Sequence, residues 1–206
     1  RVTVTARDAS GNIGRASCDI AAAGASHQFT DLNGYWAAGY VDWFKTAGIT
    51  TGYTDGTFRP GKNITRQEFA VMLYRYLGLD GSQYAGAALP FADGAKISDY
   101  AVPAVRALYA SGVINGSTGS DGKLYFSPDS NLTRAQAAAM IGRTQAKGYA
   151  TAALSFTDAA SIPSYAAYYI QTMAAQGVIG GFADGSFQPA TNITRGQMAK
   201  ILYNLL

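Results

Sequence analysis

Three arginines, Arg66, Arg134 and Arg195, occupy the same position in three similar segments of the chain. Each follows a threonine, and a Glu or Gln stands two residues after each arginine. The pattern T-x-x-E/Q predicts a capping box, in which the threonine begins a helix and the arginine is its first residue. A helix N-terminus disfavours a cation by about a few tenths of a kcal/mol. Three arginines at this one position therefore indicate a role other than helix stability.

Two interpretations explain these arginines. In the first, each side chain forms a salt bridge or donates hydrogen bonds to loop carbonyls, and so holds neighbouring segments together. In the second, the guanidinium and the free amides of the helix N-terminus converge on one anion. The spacing alone leaves both open and favours the first, because structural arginines are common.

Three aromatic residues, Trp36, Tyr100 and Tyr165, also share one position, predicted to lie just inside an earlier helix of each segment. Sugar rings stack on exposed aromatic faces, and Trp and Tyr carry a polar tip as well. The alternative is that these side chains fill the junctions between segments, and the sequence alone favours that alternative.

These residues belong to three internal repeats. Each repeat opens with Phe-x-Asp, at positions 62 and then 65 residues apart, and a glycine follows its aromatic residue by 12 positions. Apolar residues at helical spacing predict a first helix that ends at this glycine, with Ala47 on its buried face. An Asp-Gly loop, a proline and the capping box precede a second apolar stripe. The predicted fold class is mainly α, with three helix-loop-helix repeats that share one core.

The predicted units are the repeats 29–90, 91–155 and 156–206, preceded by residues 1–28. Alternating residues in 2–6 predict a strand, so we expect a short β-like segment and an Ala-rich linker at 21–26. We interpret this segment as the last strand of a preceding β-module and the chain as a fragment of a longer exported protein. Repeat two carries a four-residue insertion within 116–127.

The composition argues against several classes of function. The chain has 206 residues, a net charge of +3 and no basic run, so nucleic acid is a poor partner. Because Cys18 and His27 are the only cysteine and histidine, Cys-based and His-cluster metal sites are excluded, and we predict no metal and no cofactor. No apolar run approaches the ~18 residues of a membrane span. The 13 acids show no recurring carboxylate pair of the kind glycosidases use, so we predict no enzyme activity in this chain.

The pattern from Phe29 to Glu68 resembles the S-layer homology (SLH) repeat, and it recurs at 91–136 and 156–197. It reads Phe-x-Asp, Trp-Ala, Gly-Ile, Gly-Tyr-x-Asp-Gly-Thr-Phe-x-Pro and Ile-Thr-Arg-x-Glu. The resemblance implies a pseudo-threefold helical bundle and an extracellular location at the cell wall or S-layer. It also implies non-covalent anchoring of a secreted bacterial surface protein to an anionic secondary cell-wall polysaccharide, often a pyruvylated one.

In that family, the arginine of the Thr-Arg-x-Glu motif contacts the acidic sugar in a groove between repeats. Carried over, the resemblance makes the three aromatic residues groove walls and lets loop glycines bring backbone amides close to the ligand. On this basis we expect Arg66→Ala to lower affinity rather than stability. The predicted ligand-binding residues are Arg66, Arg134, Arg195, Trp36, Tyr100, Tyr165, Gly52, Gly116 and Gly181.

The repeats depart from the family pattern in places. Repeats two and three replace the Trp of the motif with Tyr and its last Glu with Gln136 and Gln197. Gln still serves a capping box, but the inserted loop of repeat two reshapes its groove, so we expect one or two sites to dominate. The alternative function is structural: self-association into a lattice, with no glycan in the grooves.

Overall fold

The structure is a computed structural model that describes residues 2–7, 13–18, 27–145 and 153–206. Its described residues form six α-helices, two in each repeat, and four short strands, which confirms a mainly α fold. The helices are α1 Ala38–Thr46, α2 Arg66–Tyr76, α3 Val102–Ala110, α4 Arg134–Arg143, α5 Ser164–Ala175 and α6 Arg195–Tyr203. The strands are β1 Val2–Arg7, β2 Ile13–Cys18, β3 Ser117–Thr118 and β4 Leu124–Tyr125.

The second helix of each repeat begins at its predicted capping box. The Thr65 hydroxyl accepts from the Glu68 amide at 3.3 Å, and the Glu68 Oε2 accepts from the Thr65 amide at 3.0 Å. Both bonds are also present in the boxes of α4 and α6. These boxes satisfy two amides that a helix N-terminus leaves without a partner, so the predicted helix starts are confirmed.

The first helix of each repeat ends as the glycine spacing predicted. Gly48, Gly112 and Gly177 adopt φ angles of 72°, 74° and 72°, a left-handed conformation that glycine adopts without a steric cost. The prediction that Ala47 lies on the buried face of α1 is wrong, because the helix ends at Thr46 and Ala47 is exposed.

The helices pair between repeats. Helix α2 packs on α3, α4 packs on α5, and α6 packs on α1, so the second helix of each repeat lies against the first helix of the next. The two apolar stripes of a repeat are thus buried by different neighbours, in one continuous core. The largest fully buried side chains of this core include Phe44, Phe58, Phe69, Phe126 and Phe187.

A ring of backbone hydrogen bonds joins the three repeats just before their second helices. The Ile64 amide donates to the Ile193 carbonyl at 3.1 Å, Ile193 donates to Leu132 at 2.9 Å, and Leu132 donates to Ile64 at 3.1 Å. Each repeat therefore contacts both others, and the ring brings the three helix N-termini together. The pseudo-threefold relation and the repeat boundaries remain predictions.

The N-terminal segment is a β-hairpin rather than a single strand. Strands β1 and β2 pair antiparallel, with Val2 opposite Cys18 and Arg7 opposite Ile13. The predicted linker at 21–26 lies outside the described residues. The insertion of repeat two forms a second hairpin, in which β3 pairs with β4.

Candidate ligand-binding grooves

Each of the three arginines extends from its own repeat into the loop of the next. The Arg134 Nε donates to the Phe187 carbonyl at 2.9 Å, and its guanidinium lies 4.8 Å from the centroid of the Phe187 ring. This geometry confirms the first interpretation, in which the arginines hold the repeats together. The equivalent Nε bonds join Arg66 to Phe126 at 2.6 Å and Arg195 to Phe58 at 2.7 Å.

The amides at the start of the second helices are occupied. In α4, the Arg134 amide donates to the Thr191 carbonyl at 2.9 Å, and the Ala135 amide donates to the Pro189 carbonyl at 3.1 Å. The next amide, that of Gln136, donates to the hydroxyl in the capping box. Equivalent bonds from the first two amides of α2 and α6 reach loop carbonyls of a neighbouring repeat. The idea that free helix amides converge on an anion is therefore wrong.

The aspartate of each Phe-x-Asp motif holds a loop of its own repeat in place. This is the loop whose carbonyl accepts from the arginine of another repeat. The two carboxylate oxygens of Asp93 accept from the Phe126 and Ser127 amides at 2.8 and 2.7 Å. Ser127 adopts a φ of 57°, in the left-handed region, although Pro128 follows it. Sequence reasoning missed this role, although its signal was present: every repeat has one Phe-x-Asp motif followed by one Phe-x-Pro motif. The equivalent residues are Asp31 with Phe58 and Arg59, and Asp158 with Phe187 and Gln188.

Beside Arg134 lies a groove, which we call groove 3 after the repeat that supplies its loop. The equivalent regions beside Arg195 and Arg66 are called groove 1 and groove 2. Groove 3 has a volume of about 490 Å³ and takes residues from all three repeats. Arg134 comes from repeat two, Trp36 from repeat one, and the loop that contains Gly181 from repeat three. Three of the predicted ligand-binding residues therefore meet here. The α6 side chains that line groove 3 are Gln197, Lys200, Ile201 and Asn204.

The three equivalent aromatic side chains are exposed. The prediction that they lie just inside the first helices is wrong for Trp36 and Tyr100, which precede α1 and α3, because each of these helices begins two residues later. The exposed fraction is 54% for Trp36, 59% for Tyr100 and 48% for Tyr165, so these rings do not fill the junctions between repeats. In groove 3, the Lys200 ammonium lies 5.9 Å from the centroid of the Trp36 ring. An exposed indole face with a cation beside it is therefore one wall of this groove.

Groove 1 has the same plan but contains an acid. Glu68 Oε1 accepts from the Tyr53 hydroxyl at 2.7 Å and from Lys62 at 3.1 Å, and Arg195 Nη1 lies 3.8 Å away. Burial acts to raise the pKa of Glu68, but the hydrogen bonds and Arg195 outweigh burial and lower the pKa. Burial raises the pKa of Tyr100 of repeat two, as does the charge of Glu68.

Groove 2 brings Arg66 near Tyr165. Burial lowers the pKa of the Arg66 guanidinium, and interactions with Asp93 and Tyr165 partly offset that effect. The hairpin β3–β4 of the insertion follows Gly116 directly, and Gly116 is equivalent to Gly181 of groove 3.

The predicted loop glycines are packed against their own loops. A Cβ on Gly52 would lie 2.8 Å from the Thr57 carbonyl oxygen, and Gly116 and Gly181 have equally close carbonyl neighbours. Each also lies against the ring of the phenylalanine that opens its repeat. Loop packing thus explains why these residues are glycines. Their role in ligand approach remains a prediction, although Gly181 does line groove 3.

Comparison with known proteins identifies the family. The family model of the S-layer homology domain matches residues 28–70, 90–138 and 155–199. The chain belongs to the S-layer homology domain family. It is 32% identical to an amylopullulanase of Thermoanaerobacterium thermosulfurigenes over 86% of the chain and 9% of that protein. It is 30% identical to a cellulosome-anchoring protein of Acetivibrio thermocellus over 73% of the chain and 34% of that protein.

A third relative is a surface-layer 125 kDa protein of Lysinibacillus sphaericus, 28% identical over 88% of this SLH chain. The SLH chain spans 34% or less of the length of each of these relatives. Its family and these surface proteins indicate a cell-surface anchoring module, located outside the cell at the cell wall or surface layer. Within the described ranges, no helix has the length and apolar character needed to cross a bilayer.

The arginines of the SLH repeats keep hydrogen-bonding capacity that their structural role does not use. Arg134 and Arg195 are 5% and 3% exposed, and Arg66 is partly buried. Burial lowers the pKa of Arg134 and of Arg195, yet a guanidinium remains charged throughout the ordinary pH range. Toward described residues, Arg66 and Arg195 donate only through Nε, and Arg134 adds one bond from Nη2 to Gly180. The remaining guanidinium N–H groups donate no hydrogen bond to the residues that the structure describes.

Proposed function

We propose that this SLH chain anchors a surface protein to the wall by binding an anionic secondary cell-wall polysaccharide in grooves between its repeats. The bound unit is an acidic sugar, such as a pyruvylated one, and groove 3 is its principal site. One observation carries this proposal: Arg134, Lys200 and the exposed Trp36 line a single groove. Among the described residues that line this groove, none is acidic.

The residues of groove 3 suit the two parts of an acidic sugar. A sugar ring presents C–H groups that pack on the Trp36 face, as sugars do on exposed aromatic rings. The carboxylate of its acidic substituent would accept charge-assisted hydrogen bonds from Arg134 and attract Lys200. The volume of about 490 Å³ lies within the range of small-ligand sites. Trp36 would therefore contact the sugar ring, and Arg134 and Lys200 would bind its carboxylate.

The test is co-sedimentation of the chain with purified Gram-positive cell walls, before and after chemical removal of the wall-linked polysaccharide. We expect binding that disappears with the polysaccharide. Trp36→Ala should weaken binding about tenfold or more, as removal of a central aromatic contact does. Because Trp36 is exposed, its loss should change the free energy of unfolding by less than about 1 kcal/mol.

The matched control is Tyr168→Ala, which removes an aromatic side chain that is 44% exposed and does not line groove 3. This variant should bind walls like the wild type. Binding that survives removal of the polysaccharide would contradict the proposal and point to peptidoglycan. Concentration-dependent assembly without wall binding would favour the lattice function.

A further inference from the structure

We propose that binding of the acidic sugar in groove 3 rotates the peptide bond plane between Gly180 and Gly181. The carbonyl of this peptide occupies one N–H group of Arg134, and the rotation replaces that acceptor with the amide of Gly181. This inference rests on the proposed function and adds a conformational step to it.

The peptide between Gly180 and Gly181 directs its carbonyl toward Arg134. The Gly180 carbonyl accepts from Arg134 Nη2 at 3.1 Å, and both glycines line groove 3. A carbonyl oxygen is an acceptor with a partial negative charge, so in this orientation it repels a carboxylate and uses a donor that the carboxylate needs. This contact therefore opposes binding of an anion beside Arg134.

The equivalent peptide of repeat one, between Thr51 and Gly52, has different partners. The Thr51 carbonyl accepts from Lys45 Nζ on α1 at 3.4 Å, and the Gly52 amide donates to the Thr50 hydroxyl at 3.1 Å. Gly52 adopts a φ of 73°, in the left-handed region, whereas Gly181 lies outside that region. The same loop position therefore accommodates two orientations of its peptide within one chain.

Repeat three lacks the two partners that this peptide has in repeat one. Ile179 stands at the position of Thr50, and Ala174 stands at the position of Lys45, so the hydroxyl and the ammonium are both missing. The Gly181 amide donates no hydrogen bond to any residue in the described parts of the chain. An acceptor for this amide in the rotated orientation must therefore come from a ligand.

Rotation would make this side of groove 3 favourable to an anion. Because the C=O and N–H of one peptide point in opposite directions, rotation turns the Gly180 carbonyl away from Arg134 and brings the Gly181 amide to that side. Arg134 Nη2 is released at the same time, so a carboxylate gains two donors and loses one repulsive acceptor.

The local residues permit this rotation. Glycine adopts the left-handed region without a steric cost, and a Cβ placed on Gly180 would have no neighbour within 4 Å. A ligand drives such a change only as far as it prefers the rotated form. The acid gives that preference and a neutral sugar does not, so we expect rotation with the acidic sugar alone.

The test relies on the sequence, in which Gly180 and Gly181 form the only Gly-Gly pair. Glycine labelled with ¹³C at its carbonyl and ¹⁵N at its amide therefore gives a single HNCO peak, from this peptide. The labelled chain is titrated with a methyl N-acetylhexosaminide that carries a 4,6-pyruvate ketal, and with soluble polysaccharide released from cell walls. The same glycoside without pyruvate is the control ligand, and Trp36 fluorescence reports occupancy of groove 3.

We expect the pyruvylated probe to shift this peak and to change the three-bond coupling of the Gly181 amide proton. The coupling should reach the value for a left-handed φ, near the 73° and 70° of Gly52 and Gly116. Exchange of the Gly181 amide with solvent should slow about tenfold or more, because the amide gains an acceptor. The glycoside without pyruvate should change neither the coupling nor the exchange rate.

A double variant tests the two orientations without a ligand. Ile179→Thr with Ala174→Lys supplies the partners of repeat one and keeps the Gly-Gly pair, so the coupling should be that of a left-handed Gly181. The matched control is Ile179→Val, which adds no hydroxyl and should keep the wild-type coupling. Thermal unfolding of each variant checks that the fold is kept.

Two results would overturn the inference: an unchanged coupling when Trp36 fluorescence shows that groove 3 is occupied, or a wild-type coupling in the double variant. Both leave the proposed function intact, because the chain can bind the wall polysaccharide without this rotation. A chain that binds neither the probe nor the polysaccharide would instead overturn the proposed function and this inference together.

Discussion

The junction where the three repeats meet has the same residue types in every repeat, whereas the walls of the grooves beside it do not. At the junction, every repeat has the same parts: an aspartate clamp, an arginine on a loop carbonyl, and a capping box, with bond lengths that agree within a few tenths of an ångström. In the grooves, the equivalent residues differ, as Glu68 and Gln197 do. Residues that recur in all repeats thus serve first the fold, and those that vary lie in the grooves of the proposed function.

The strongest test of this comparison is Asp93→Ala at the junction. Asp93 is 9% exposed and accepts from two loop amides, so alanine would leave both amides without a partner beside a residue in the left-handed region. We expect a loss of roughly 3–5 kcal/mol in the free energy of unfolding, measured by urea denaturation. Asp99→Ala is the control, because Asp99 is exposed and should tolerate the change. Equal stability of the two variants would contradict the clamp.

A smaller loss is expected from Arg195→Ala, which tests an arginine that serves both regions. The side chain is 3% exposed and donates to the Phe58 carbonyl at 2.7 Å, so its removal should cost roughly 2–4 kcal/mol in thermal unfolding. Arg59→Gln is the control, since Arg59 is exposed and repeat three carries Gln188 at that position. An unchanged melting temperature for Arg195→Ala would show that the arginine acts on the ligand alone. The same geometry changes the expectation for Arg66→Ala, which should lower stability as well as affinity.

The smallest effect concerns a groove residue, Glu68, and its titration. Burial opposes ionisation of Glu68, but its hydrogen bonds and Arg195 lower its pKa below the ordinary value of 4.5. Its stabilising contribution is therefore present above that value and is lost as pH falls through the pKa of the folded state. Between about pH 5 and pH 3, the wild type should lose more stability than Glu68→Gln, as measured by urea denaturation at each pH. An equal loss in both proteins would contradict the charged network of groove 1.

The sequence predicted those features that depend on neighbouring residues. The capping boxes and the left-handed glycines after the first helices are local, so spacing and residue type were enough to find them. The predicted burial of Ala47 was wrong because it depends on where α1 ends, and helix ends shift by a residue or two.

Contacts between repeats could not be predicted in the same way. The pairing of α2 with α3 and the bond from Arg195 to Phe58 join residues from different repeats, and no local pattern specifies a partner. His27 shows the same difficulty: it lies at the end of the predicted linker, yet its Nδ1 is 2.7 Å from Asp42 Oδ2 on α1. Groove 3 has the same origin, because its lining comes from all three repeats.

The closed ring through Ile64, Leu132 and Ile193 has a consequence for how the module can change in length. An open array of repeats can gain or lose a unit, because each unit contacts only its neighbours and the end units act as caps. Here the last repeat bonds back to the first, so there is no end unit to remove. Deleting one repeat would expose two apolar helix faces and leave two bonding partners unpaired. Loss of one repeat from this closed module should therefore destabilise it far more than loss of an end unit destabilises an open array.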